Sequence, residues 1–170
     1  MNMRIEINLI PHNELDDINL DKIVSLKMQH WNYKKEDQIK WIIENLEEND
    51  FHLMLKNKND ELIAYLNIVA VRISIGGSVA LFSGIGNVCV NSKQSGKGYG
   101  ILLMNICNLF IKEMERPGVL LCKETLVSFY KKAGWYKYNG NVLLNNKIFS
   151  DSVFFTKRTL SPAIEIEKSF

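Results

Sequence analysis

The sequence contains few residues of the types that build disulfide, redox or metal sites. Among its 170 residues are only three cysteines, three histidines and three prolines. The three cysteines lie in apolar surroundings without a Cys-x-x-Cys pair, which predicts reduced core thiols: Cys89, Cys107 and Cys122. The histidines do not have the spacing of metal ligands, so the sequence predicts no metal site. Their positions are His12, His30 and His52.

Long apolar runs and a large net charge are also missing. No apolar stretch reaches the ~18 residues of a membrane span, and the first residues lack the apolar core of a signal peptide. The sequence therefore predicts a cytoplasmic protein with no membrane partner. The formal net charge is +2, and no basic stripe is interleaved with aromatic residues, so no nucleic-acid partner is predicted.

The remaining pattern predicts a single domain covering residues 1–170, because neither an internal repeat nor a low-complexity linker interrupts it. Apolar periodicity predicts strands and helices in alternation, and the mixture favours an α+β fold with one mixed central sheet flanked by helices. The predicted strands are 4–10, 51–55, 62–71, 79–90, 119–122, 135–138 and, last, 153–156. The predicted helices are 20–31, 39–46, 101–116 and one around Tyr130. The helix 101–116 is apolar almost all round, which predicts that it is largely buried.

A glycine-rich loop is the most informative local feature. Gly96, Gly98 and Gly100 alternate between a strand that ends at Val90 and a helix that ends before Pro117. Strand, glycine loop and helix together offer backbone N–H groups and a positive helix end to a phosphate. The sequence therefore predicts a phosphate-bearing ligand.

Two common phosphate motifs do not fit this loop. A nucleoside-triphosphate P-loop needs a glycine five residues before its Gly-Lys pair and a Ser or Thr after it. Here Asn91 and Gly98 occupy those places. The dinucleotide fingerprint Gly-x-Gly-x-x-Gly fails on the spacing of the third glycine.

The loop resembles the acyl-CoA loop of the GNAT N-acetyltransferase family, in which a strand ending in Val-x-Val precedes Gln/Arg-x-x-Gly-x-Gly/Ala. A second segment, Phe129-Tyr130-Lys131-Lys132-Ala133-Gly134-Trp135, resembles the family's Phe/Leu-Tyr-x-x-x-Gly-Phe/Trp. The two motifs follow one another in the family's order over about 81–138. Two positions depart from the family pattern, namely Ser95, with Gln94 one place early, and Lys123, where the family has asparagine.

This resemblance implies that acetyl-CoA is the cofactor and that Tyr130 is the general acid for the leaving thiolate. It also implies that glycines near the end of the strand, Gly84 and Gly86, let it splay for the pantetheine arm, and that a backbone N–H near Val88 stabilises the oxyanion. The implied cofactor-binding residues are Val88, Cys89, Val90, Ser95, Gly96, Lys97, Gly98, Tyr99 and Gly100.

The general base and the acceptor stay open at this stage. Between Val79 and Val90 there is no carboxylate, and the candidates for the base are His30, His52, Glu124, Asp151 or water. The acceptor is an amine of a small molecule or of a protein, with a faint resemblance to aminoglycoside-acetylating enzymes. A non-catalytic acyl-CoA-binding domain and an unrelated nucleotide-binding module remain as alternatives. The sequence also leaves a homodimer open.

Overall fold

Ten strands form one mixed β-sheet in the computed structural model, which describes residues 4–170. The strands are β1 Ile5–Pro11, β2 Phe51–Asn57, β3 Leu62–Ile75, β4 Ser78–Val90, β5 Gly118–Cys122, β6 Tyr136–Tyr138, β7 Asn141–Leu144, β8 Lys147–Ile148, β9 Ser152–Phe155 and β10 Ala163–Ile166. The helices are α1 Asp17–Lys27, α2 Lys35–Asn45, α3 Tyr99–Glu113 and α4 Val127–Lys132. The strand order is β6-β9-β5-β4-β3-β10-β7-β8, with β1 on β2 and β2 on β3. The predicted α+β class with a mixed sheet flanked by helices is confirmed.

The chain divides into two compact units, and β3, β4 and α3 each contribute residues to both. The first unit comprises the residues up to Val69 together with Asn87–Leu103. In this unit β2 pairs antiparallel with β1 and with the first half of β3. Apolar residues of α1 and α2 cover part of this unit's core. The fully or nearly buried members of that cluster include Ile23, Val24, Ile42, Met54, Tyr65 and Cys89.

The second unit comprises Ala70–Gly86 and Met104–Phe170. Here β4 runs parallel to β5, β9 lies antiparallel between β5 and β6, and β10 pairs antiparallel with β3 and parallel with β7. The core of this unit is aliphatic and aromatic, with Phe82 and Tyr138 both contacting Phe155 edge-on.

The strand at 153–156 is not the last one, so that prediction is wrong. It forms β9, and the residues after Thr159 contain β10, whose Ile164 and Ile166 are buried. The short strands β7 and β8 were also missed. They are joined by Asn145 and Asn146, both with positive φ, so a tight turn rather than an apolar run marks this hairpin.

Helix α3 is less buried than its composition predicts. It begins at Tyr99 and ends at Glu113, earlier at both ends than the predicted 101–116. Leu103 and Met104 are fully buried, but Leu109 is 65% exposed. Two of its apolar side chains, Leu102 and Leu109, are therefore exposed, on a side of the helix that also carries Asn105 and Lys112.

Candidate functional site

The glycine loop is anchored to the first unit at its start. After β4 ends, the Asn91 N–H donates to the carbonyl of Ile63 at 2.7 Å, and the Asn91 side chain accepts from the Lys93 N–H at 3.1 Å. The Ser92 N–H donates to the side-chain oxygen of Gln29 on the segment after α1, at 2.9 Å. These bonds fix where the loop leaves the strand, so the residues that follow emerge in a defined direction.

Two of the three loop glycines adopt a backbone conformation that other residues rarely adopt. Gly96 has φ +76° and Gly98 has φ +85°, and a Cβ placed on either would meet nothing within 4 Å. Glycine is needed here for the left-handed conformation, and the space over both backbones is open. Gly100 instead lies in the first turn of α3, whose earliest backbone bond is from the Leu102 N–H to the Gly98 carbonyl at 3.0 Å. The helix thus begins directly at the loop, and its first N–H groups precede any intrahelical acceptor.

The side chains of the loop differ in exposure. Ser95 and Lys97 are exposed, and the Lys97 ammonium donates to the side-chain oxygen of Gln94 at 2.9 Å. Tyr99 is buried, so its ring anchors the start of α3. A ligand over the glycines would therefore meet backbone N–H groups and one cationic side chain.

Strand β4 is irregular just before the loop. Its parallel ladder with β5 runs from Ser83 to Ile85. Two residues later Asn87 has φ +53°, a left-handed conformation that asparagine tolerates better than most residues, and its amide donates to the side-chain oxygen of Asn67 at 2.6 Å. A left-handed residue inside a strand bends the strand and interrupts its pairing.

The left-handed residue therefore lies at Asn87, directly after Gly86. At Gly84 a Cβ would lie 2.9 Å from the ring of Phe170, so this glycine makes room for an aromatic side chain. Gly84 therefore allows close packing rather than flexibility, and the role of Gly86 stays a prediction.

The three residues that follow the bend are partly or fully buried. Val88 and Val90 are partly buried, and Cys89 is 3% exposed. Burial raises the pKa of the Cys89 thiol to about 12, which keeps it protonated and unreactive near neutral pH. The Val90 carbonyl accepts a hydrogen bond from the ring Nε2 of His30 at 2.7 Å. What this stretch offers a ligand is backbone, not a nucleophilic side chain.

Tyr130, in the second unit, is 5% exposed and lies in α4. Its ring centroid lies 4.9 Å from that of Phe129 and 5.9 Å from that of Phe154. The residues that follow it in the motif hold the end of the helix. Gly134 has φ +84°, and the Trp135 indole donates to Asn108 of α3 at 2.9 Å. Gly134 and Trp135 therefore have structural roles at the end of α4. The role of Tyr130 as general acid stays a prediction.

Comparison with known proteins decides the family. A model of the acetyltransferase (GNAT) domain matches residues 13–137, which is more than half of the chain. This chain belongs to the GNAT acetyltransferase family. No curated protein matches it.

Solved structures share its fold at low sequence identity. ElaA from Escherichia coli is 21% identical, with a TM-score of 0.64 over 89% of this chain and 98% of that chain. The GNAT family N-acetyltransferase YhbS from Escherichia coli, solved in complex with CoA, is 13% identical with a TM-score of 0.69 over 98% and 92%. An aminoglycoside 6'-N-acetyltransferase complexed with coenzyme A is 13% identical with a TM-score of 0.65 over 88% and 94%.

Of the candidate bases of this GNAT domain, two are unsuited to the role. Burial lowers the pKa of His52 to about 3, with the neighbouring His12 and Lys27 adding to the effect, so the ring stays neutral but is a very weak base. Hydrogen bonds from Ser152 and Lys137 lower the pKa of Glu124. A carboxylate with a lowered pKa is a poorer proton acceptor.

His30 is held in one tautomer. A carbonyl oxygen only accepts, so the Nε2 that contacts the Val90 carbonyl carries a hydrogen, and Nδ1 is the nitrogen left to accept one. Asp151 is exposed in the second unit.

No helix within residues 4–170 is long and apolar enough to cross a membrane.

Proposed function

We propose that this GNAT domain transfers the acetyl group of acetyl-CoA to a primary amine by direct attack of the amine on the thioester. The observation that carries the proposal is the loop at Gly96 and Gly98, where left-handed glycines with open space above them lead straight into α3. A Cβ at either position would occupy that space, so the loop has the shape of an anion cradle.

The cradle fits the pyrophosphate of coenzyme A. Backbone N–H groups of the loop and of the first turn of α3 would bind its oxygens, and the helix dipole favours the negative charge. The ammonium of Lys97 lies on the exposed loop and adds a positive charge there. The arm of the molecule would pair with the backbone of β4 at Val88, Cys89 and Val90. When bound, acetyl-CoA supplies an activated acetyl thioester.

The chain's own groups would assist the transfer at two points. A backbone N–H near Val88 would donate to the thioester oxygen as negative charge develops there. A C–N bond forms to the amine, the C–S bond breaks, and the leaving thiolate needs a proton. The resemblance assigns that proton to Tyr130, since a phenol with a pKa near 10 can donate to a thiolate of similar basicity. The amine's own proton would leave to water.

The cradle is tested by a pair of matched glycine variants. Gly98 has φ +85°, and Gly77, in the β3–β4 turn, has φ +83°. A Cβ added to either residue would have no atom within 4 Å. Gly98→Val and Gly77→Val should therefore lose similar stability, roughly 1–2 kcal/mol each. Only Gly98→Val should weaken binding of CoA, by more than about tenfold, which calorimetry measures directly. Equal CoA affinity in folded Gly98→Val and wild-type protein would remove the cradle from the proposal.

Thermal shifts with different ligands separate the function classes. At 100 times its Kd a ligand stabilises the folded state by about 2.7 kcal/mol, which raises Tm by roughly 5–10 °C in a protein of this size. We expect such a shift with acetyl-CoA and CoA, but not with ATP or NAD at the same concentration. A shift with ATP or NAD alone would favour the unrelated nucleotide-binding module.

A further inference from the structure

A cavity of about 520 Å³ lies in the first unit beside the bend of strand β4. Its lining comes from the last residue of α1, the segment that joins α1 to α2, the first turns of α2, and Asn87 of β4. Asn87 directly precedes Val88, where the proposed function places the oxyanion donor. The cavity therefore opens next to the backbone at which the chemistry is proposed to occur.

Two buried hydrogen-bond donors line this cavity. Lys27 is 2% exposed and Gln38 is 4% exposed. The Nε2 of Gln38 has no hydrogen-bond partner, and none of the ion pairs found within residues 4–170 includes Lys27. An unsatisfied buried donor destabilises the folded protein, and an isolated buried ammonium does so more strongly. A ligand that brings an anionic acceptor to both donors would recover this free energy.

The walls of the cavity are aromatic. Trp31 and Trp41 are partly buried, and Tyr33 is exposed at the entrance. The ammonium of Lys27 lies 4.5 Å from the ring centroid of Trp41, which holds the charge at the wall. Aromatic walls favour a ligand with an apolar body, since they bury carbon atoms and offer few hydrogen bonds.

One carboxylate also lines the cavity, on Asp37, which is exposed. Two charges interact more strongly in the lower dielectric constant of a buried site than between solvated groups. The buried cation at Lys27 therefore outweighs the solvated anion at Asp37 for a ligand carboxylate inside the cavity. The same Asp37 would disfavour a second ligand carboxylate.

We propose that this cavity binds the acceptor, and that the acceptor is an amino acid or another amine bearing one carboxylate, which Lys27 and Gln38 hold. The carbon atoms of the acceptor pack on Trp31 and Trp41, and its amine faces the side formed by Asn87. This inference rests on the proposed acetyl transfer for the role of the site, but binding of the carboxylate is independent of it.

Matched ligands test this inference without turnover. Calorimetric titrations use the full chain, with the twenty standard amino acids and with their decarboxylated counterparts, such as phenylalanine against phenethylamine and lysine against 1,5-diaminopentane. We expect at least one amino acid to bind more than about tenfold tighter than its amine, because a hydrogen bond to a charged group contributes about 1.5–3 kcal/mol. Equal or tighter binding of the amines, or no binding of any amino acid, would overturn the inference.

Variants then assign the binding to the two donors. Lys27→Met and Gln38→Leu should each weaken binding of the preferred amino acid, Lys27→Met by more than about tenfold, and should reduce its advantage over the decarboxylated amine. Lys40→Met, which removes an exposed lysine of α2 paired with Glu44, is the matched control and should leave binding unchanged. Unchanged affinity in both donor variants would also overturn the inference.

The outcomes separate this inference from the proposed function. Amino-acid binding that depends on Lys27, with no binding of CoA, would leave the cavity assignment standing and remove acyl transfer. Acetylation of amines without a carboxylate, an aminoglycoside such as kanamycin included, at rates equal to those of amino acids would leave acyl transfer standing and remove the cavity assignment.

Discussion

Replacing Lys27 by methionine should make the folded protein more stable at neutral pH. Lys27 ends helix α1 with its side chain almost fully buried, and burial lowers the pKa of its ammonium from 10.5 to about 8. A shift of one pKa unit corresponds to about 1.4 kcal/mol, so this shift corresponds to roughly 3 kcal/mol by which folding disfavours the charged form. Methionine has a similar length and needs no solvation. It loses the contact with the Trp41 ring, which contributes about 1 kcal/mol, and a net gain of about 2 kcal/mol remains.

The pH dependence gives this prediction its second half. Between pH 8 and pH 10.5 the unfolded chain still carries the Lys27 proton while the folded chain has lost it. Loss of this proton therefore increases the wild-type free energy of unfolding as pH rises. The difference in free energy of unfolding between the methionine variant and the wild type is largest below pH 8 and disappears by about pH 10.5. Burial raises the pKa of Cys89 to about 12, which acts in the opposite direction above pH 9. Because the Lys27 ammonium itself lowers the pKa of Cys89, this opposing contribution differs between the two proteins.

Urea unfolding of both proteins between pH 6 and pH 10 measures this difference. Lys40→Met is the control, since it removes a lysine of α2 whose ammonium is exposed, and its stability should stay within about 0.5 kcal/mol of the wild type. A Lys27→Met protein that is less stable than the wild type at pH 7, or a difference that does not change with pH, would refute the argument that Lys27 is a buried charge kept for binding.

Three further predictions concern other residues. Because His52 has a pKa of about 3 in the folded protein, only the unfolded chain binds its proton as pH falls below 6.5. The wild type should therefore lose about 2 kcal/mol of stability by pH 5. Urea unfolding of His52→Gln at the same pH values should show a smaller loss. Tyr130→Phe should lower kcat about 100-fold at nearly constant CoA affinity, because it removes the proposed proton donor. Tyr136→Phe, at an exposed tyrosine, is the control and should leave kcat unchanged. An unchanged kcat and pH profile of Tyr130→Phe in steady-state kinetics would exclude Tyr130 as the acid. Asn87→Ala should lose about 1 kcal/mol more free energy of unfolding than Asn145→Ala in urea unfolding. Both residues have positive φ, but Asn87 also donates a hydrogen bond to Asn67. Equal losses would mean that this hydrogen bond contributes nothing.

The elements with a strong local pattern were predicted from the sequence. The stripe of α2 and the long apolar strands β2, β3 and β4 are recognisable in the sequence, because each has a run of apolar residues with a regular period. The stripe is only partly buried, since Ile42 is fully buried but Ile43 is 61% exposed. β10 was missed since it has only four residues and its partner on β3 lies about ninety positions earlier in the chain, where no local pattern records the pairing.

The same distinction applies to the site. Gly96 and Gly98 could be found because a left-handed backbone restricts the residue type and so leaves a trace in the sequence. Lys27 and Gln38 could not be found, since a lysine and a glutamine at two helix positions look like solvent-facing residues. Only the fold brings them to one cavity beside Asn87.

Acetyl transfer itself is the most direct test of the central claim. Wild-type protein is incubated with acetyl-CoA and the panel of amino acids and amines, and both the released CoA thiol and the acetylated product are quantified by mass spectrometry. We expect saturable formation of an N-acetylated amino acid in equal amount to free CoA. Tight binding of acetyl-CoA without transfer to any member of the panel would contradict the claim and favour a non-catalytic acyl-CoA-binding domain.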